Sequence, residues 1–157
     1  MKFPIQHYQW QLRHEYARHL DAMIKPNVAV TATLCQSRSY ENTLGKTWIK
    51  GDPILYEGIL TGLVSRLSEK VLGNAHKRFG KRIKAGGAVE GDGVIEAYHL
   101  HVFLHRPATI SAEKFEIAIR NAWQQSPWLK PDLHIEEIHG NWVWYSVKRG
   151  PETLLFP

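Results

Sequence analysis

The chain has 157 residues, 43% hydrophobic and 22% charged, which excludes a disordered polymer and fits one domain, 1–157, with its own core. The single cysteine, Cys35, excludes an internal disulfide framework and a cysteine-rich zinc site. No apolar run approaches the roughly 18–20 residues that span a bilayer, and the N-terminal segment has no secretory hydrophobic stretch, so a cytoplasmic protein with no membrane partner is expected. Lys plus Arg is 20 against 15 for Asp plus Glu, a net charge of +5 that points to a polyanionic partner through counterion release.

Residues 8–24 place Leu12, Tyr16, Leu20 and Met23 on one stripe and predict a helix, which Lys25-Pro26 ends. Val28 to Leu34 is short, β-branched and alternating, and predicts a strand. Residues 36–52 are polar and read as a loop. Asp52 is a suitable N-cap and Pro53 a suitable first residue for a long helix, with Tyr56, Leu60, Leu63, Leu67 and Val71 as its apolar stripe, running to about Gly80. The densest basic stretch follows, with Lys77, Arg78, Lys81, Arg82 and Lys84 as candidate phosphate contacts. A hairpin is expected next: Arg82 to Val89, a turn at Gly91-Asp92-Gly93, then Val94 to Leu104. Ser111 caps a second helix whose inner face carries Phe115, Ile119, Ala122 and Trp123. Leu133 to Ile138 reads as a last strand, and Trp142 to Arg149 as a short final helix before Gly150-Pro151.

The order strand, helix, strand, strand, helix, strand is the βαββαβ split arrangement. It predicts an α+β fold of the ferredoxin-like or RRM-like type. Its antiparallel sheet has the first and third strands central, the long helices on one face, and an extra helix at each end.

The clearest chemical signal is Tyr98-His99-Leu100-His101. Strand alternation puts His99 and His101 on one face about 7 Å apart, where two imidazoles can converge on a metal ion. Leu100 points the other way, into the core. Glu90 and Glu96 are the nearby carboxylates. Glu96 has the wrong parity. Glu90 comes within reach if the turn is wide, over about 91–96, where it faces Ala97 and lies diagonal to His99; a tight turn at Asp92-Gly93 leaves it too far along. A His99, His101, Glu90 set suits Mg²⁺ or Mn²⁺ acting on phosphate oxygens. His105 shares the parity of the pair but lies too far along the strand for an easy shared ion, and reads as structural. The second signal is Tyr145 with Lys148, neighbours on one helix face, where a nucleophile sits beside a cation.

A strand His-hydrophobic-His followed by Tyr-x-x-Lys on a short helix resembles the HUH endonuclease superfamily, in particular the single-tyrosine Rep type of rolling-circle initiators. Val28 to Leu34 resembles the first motif of that group, His99-Leu100-His101 the second, and Tyr145-Ser146-Val147-Lys148 the third. The resemblance spans about residues 28–150. The preceding helix and the long segment between the first strand and the hairpin depart from it. So does the lack of a helicase segment after Pro157, which favours a small stand-alone initiator, nickase or transposase-like protein, or an excised domain.

The resemblance implies transesterification on single-stranded DNA at an origin or hairpin, with Tyr145 attacking the scissile phosphate and a C-terminal catalytic helix carrying it. It implies a divalent metal, Mg or Mn, on His99, His101 and Glu90, with Lys148 helping to place the phosphate. Lys77 to Lys84 and Arg149 would hold the backbone, and host replication proteins are possible partners. Trp142 or Trp144 could stack a base or pack the last helix. Transposases and relaxases share this chemistry. A non-catalytic nucleic-acid-binding domain, or a different metal enzyme using the histidine pair, are the competing readings.

Overall fold

A computed structural model describes residues 5–140, 142–146 and 154–155. Helix α1 (Ile5–Ile24) ends at Lys25, whose φ of 50° breaks the helical path ahead of Pro26. The alternating run forms β1 (Val28–Leu34), as its pattern dictates. A two-stranded hairpin follows, β2 (Ser37–Asn42) and β3 (Gly45–Lys50), and corrects the loop expected over 36–52. Its exposed, polar strands carry no buried face from which the sequence could show them.

Helix α2 (Pro53–Leu72) starts where the sequence indicated, with Asp52 Oδ1 accepting from Leu55 N at 2.7 Å. It stops at Gly73, short of the expected Gly80, and the short α3 (Asn74–Phe79) carries on to a left-handed Gly80. Strands β4 (Ala85–Glu90) and β5 (His99–Leu104) then pair antiparallel. Helix α4 (Ala112–Gln124) is capped by Ser111, and β6 (Leu129–Glu137) begins four residues earlier than its apolar core suggested. The short α5 (Trp142–Ser146) and β7 (Leu154–Leu155) complete the described chain.

The fold is α+β on an antiparallel sheet of order β6-β1-β5-β4-β7, with β1 and β5 among the inner strands. β7, paired with the outer edge of β4, had no signal in the sequence. One face is covered by α2 and α4. Their Leu60, Leu63, Leu67, Phe115, Ile119 and Trp123 are buried with Val30, Leu100, Val102 and Leu104 of the sheet. Each such side chain contributes about 1.5–3 kcal/mol of transfer free energy.

The other face is covered by α1 and α5, so the helices are divided between the faces and do not all share one. Ala17, Leu20, Ile24 and Val143 pack there on Ala88 and Phe103. The buried stripe of α1 is therefore rotated from the expected one: Tyr16 and Met23 are exposed, Leu12 is half-buried, and only Leu20 holds its place. Gly86 explains the fit. A Cβ there would press on the Phe103 ring and lie 3.1 Å from Ile24 Cδ1, so the missing side chain lets α1 settle on the sheet. Among the described residues no helix is long and apolar enough to cross a membrane.

Candidate active site

His99 and His101 share their strand face with Phe103, the face under α1 and α5, while Leu100 and Val102 enter the opposite core. The parity read from the sequence therefore holds. Glu90 joins this face in a register two residues from the one expected. It stands directly opposite His99 and diagonal to His101, because the connection spans residues 91–98 and not 91–96.

The wider loop has a physical cause. Asp92 Oδ1 accepts from the amides of Val94 at 2.8 Å, Ile95 at 2.8 Å and Glu96 at 3.0 Å, folding the chain around its carboxylate. Those amide donors, Glu96 first, hold the Asp92 carboxyl below its ordinary range. Gly91 and Gly93 supply the positive φ angles of 101° and 71° that close the loop.

Glu90 and His101 are 7% and 8% exposed, and a 3.0 Å hydrogen bond joins His101 Nε2 to Glu90 Oε2. On the other side of the imidazole, Nδ1 lies 3.3 Å from the hydroxyl of Thr31, its cross-strand partner on β1. An ionised carboxylate only accepts, so with this bond made Nε2 carries a proton, and the Thr31 hydroxyl, which can donate or accept, pairs with Nδ1. Sequence reasoning missed Thr31. The sequence signal for its role is its place on the half-exposed parity of β1 with Thr33, opposite His101 and His99. His99 is half-buried, and its Nδ1 is buried with no hydrogen-bond partner among the described residues.

Above this row lies α5. The Tyr145 ring is 53% exposed and stands perpendicular to that of His101, with centroids 6.2 Å apart. The helix is held by the buried Val143 and Ser146, and by the two tryptophans. Trp142 packs edge-on against His101 at 5.9 Å and Phe103 at 6.4 Å, and its indole N–H donates to Glu136 Oε1 at 3.3 Å. Trp144 stacks on His14 of α1 at 3.9 Å. Both tryptophans therefore fasten the helix. Lys148 and Arg149 lie outside the described residues.

The basic stretch is not brought to this cluster. Lys77 and Arg78 are on α3; Lys81, Arg82 and Lys84 lie on the segment leading into β4, all five exposed. Lys84 is six residues from Glu90 at the far end of the strand, roughly 20 Å by strand rise. Lys77 is engaged with Glu69 of α2 at 3.1 Å. Glu96 is in the 91–98 loop. His105 lies beyond β5, its Nδ1 2.8 Å from the Lys25 carbonyl at the end of α1.

Among the described residues no group of three or more His, Cys, Asp or Glu side chains is arranged as a ready metal cage. Two imidazoles and one carboxylate nevertheless share a face, donor types that a divalent ion could take, and the 3.0 Å between Nε2 and Oε2 is the length of their hydrogen bond. A metal at Nε2 would need that nitrogen unprotonated, with Nδ1 then carrying the proton toward the Thr31 hydroxyl as an outer-shell partner. No family model, curated protein or solved structure matches this chain.

Proposed function

We propose that the protein is a metal-dependent, site-specific single-stranded DNA nickase and strand transferase of the HUH type, on a ferredoxin-like sheet. The observation that carries this reading is the exposed Tyr145 ring standing 6.2 Å from that of His101, over a face that also holds Glu90 and His99. A half-exposed tyrosine beside a buried imidazole–carboxylate pair suits a nucleophile that must reach an extended polymer.

In the proposed reaction the Tyr145 phenolic oxygen attacks the scissile phosphorus and gives up its proton to solvent. The bond from phosphorus to the 3′-oxygen breaks, and that oxygen leaves as a 3′-hydroxyl after taking a proton. The 5′-phosphate stays on Tyr145 as a phosphodiester, which a later 3′-hydroxyl reverses without ATP. His99, His101 and Glu90 would hold Mg²⁺ or Mn²⁺, which supplies charge to polarise the phosphate. Thr31 keeps the His101 ring oriented, and Trp142 fixes the helix that presents Tyr145. Lys148 is assigned to phosphate placement. The substrate is an origin or hairpin site of a replicating or mobile element in the cytoplasm, with host replication proteins as partners. Transposase or relaxase roles use the same step.

The direct Glu90–His101 hydrogen bond favours one other reading, a nucleic-acid-binding domain in which this pair only ties β4 to β5. A cleavage assay on a mixed single-stranded pool with Mn²⁺, run beside Tyr145→Phe and EDTA, separates the two. The nickase yields a protein–DNA adduct that survives boiling in detergent and is absent from both controls. Binding without any adduct across the pool leaves the binding domain.

A further inference from the structure

The β2–β3 hairpin has two unlike faces. Tyr40 lies on one, and its hydroxyl accepts from the Trp128 indole at 3.1 Å, tying that face to the turn before β6. The other face carries Trp48 with Lys46 and Lys50, each two residues away on β3 and so about 7 Å along the strand. Opposite Trp48 stands only Ser39, and the indole is 65% exposed. The Lys46 ammonium lies 5.2 Å from the ring centroid. Over residues 37–50 Arg38, Lys46 and Lys50 outnumber Glu41, which faces Lys46 across the ladder.

The root of the hairpin adjoins the candidate site. Gln36 Oε1 accepts from Tyr98 N at 2.9 Å, its Nε2 donates to Leu34 O at 2.6 Å, and its carbonyl accepts from Gly51 N at 2.8 Å. Tyr98 immediately precedes His99. Trp48 stands three residues from Gly51, roughly 10 Å out along the ribbon.

We infer that this hairpin is a base-stacking arm for single-stranded nucleic acid, with Trp48 as the platform and Lys46 and Lys50 as its phosphate contacts. A lone exposed indole is ordinary; an exposed indole between two same-face ammoniums on a cationic ribbon is matched to a nucleotide, which offers a flat base and an anion together. A β-ribbon also fits a duplex major groove, but a paired base does not present its flat face to an indole. That the bound strand is the one entering the Tyr145 site rests on the nickase reading; the stacking itself does not.

The test is fluorescence anisotropy with labelled oligothymidylate of about 12 nucleotides, in EDTA so that cleavage plays no part. Trp48→Ala is expected to weaken binding about 5- to 100-fold. Lys46→Gln and Lys50→Gln should each reduce the slope of log K against log salt by about 0.7. Melting curves check that the variants fold. Unchanged affinity in Trp48→Ala overturns the arm, as does a duplex of equal length that binds equally well and loses as much in the variant. A Tyr145-dependent adduct with undiminished Trp48→Ala affinity sinks the arm alone; a weakened Trp48→Ala with no adduct sinks the nickase and keeps the arm.

Discussion

Replacing Glu90 tests whether the buried pair is a metal site or only a cross-strand tie. Glu90 and His101 are 7% and 8% exposed and 3.0 Å apart, so little solvent screens their interaction. Glu90→Gln exchanges a hydrogen bond to a charged group, about 1.5–3 kcal/mol, for a neutral one of about 0.5–1.5 kcal/mol. The expected loss is about 1–2 kcal/mol, which at roughly 2–4 °C per kcal/mol lowers Tm by about 2–8 °C. Glu90→Ala leaves the buried His101 N–H without its acceptor and should cost about 1–3 kcal/mol. Mn²⁺ at a hundredfold its Kd adds about 2.7 kcal/mol to a protein that binds it, raising Tm by about 5–11 °C. Circular dichroism melts with and without Mn²⁺ should show that rise in the natural chain and its loss in Glu90→Gln and Glu90→Ala. No rise in the natural chain, or an equal rise in Glu90→Gln, refutes the metal assignment.

Three further outcomes are expected. Ser68 Oγ donates to Val64 O at 2.6 Å and accepts from Ile83 N at 2.9 Å, so Ser68→Ala leaves a buried amide unsatisfied. A melt should register about 1–3 kcal/mol of destabilisation; a shift within a degree counts against it. The Asp92 carboxyl is held low by amide donors, so its stabilisation of the 91–98 loop is present above the ordinary carboxylate range and fades as pH falls through the lowered folded value. The amide resonances of Val94, Ile95 and Glu96 should titrate together there, and not in Asp92→Ala. Burial, then the nearby Tyr98, Cys35 and Asp52, push Tyr56 up to about 12. Its neutral hydroxyl, which donates to Cys35 O at 2.9 Å, therefore stabilises the fold fully below the ordinary tyrosine value and is lost as pH rises through about 12. An ultraviolet titration should show one late-ionising tyrosine that Tyr56→Phe removes.

What the sequence determined by itself is what depends on near neighbours along the chain. The parity of His99 and His101 follows from a period of two, and the inner face of α4, Phe115, Ile119, Ala122 and Trp123, from one of 3.6. The caps at Asp52 and Ser111 are satisfied within three residues. Tertiary structure decided whatever depends on contacts distant in sequence. The buried stripe of α1 is chosen by where Gly86 lets Ile24 meet Phe103, and no helical periodicity carries that. The partner of Glu90 is set by how far the Asp92 loop opens before β5 resumes, and a shift of two residues keeps parity while exchanging which histidine it bonds. The 37–50 hairpin stands clear of the core, so its strands leave no hydrophobic pattern. Its place beside His99 comes from Gln36 and Tyr98, 62 residues apart. Residue types and local spacing name the chemistry available to this chain; only long-range pairing of strands decides which of those groups meet.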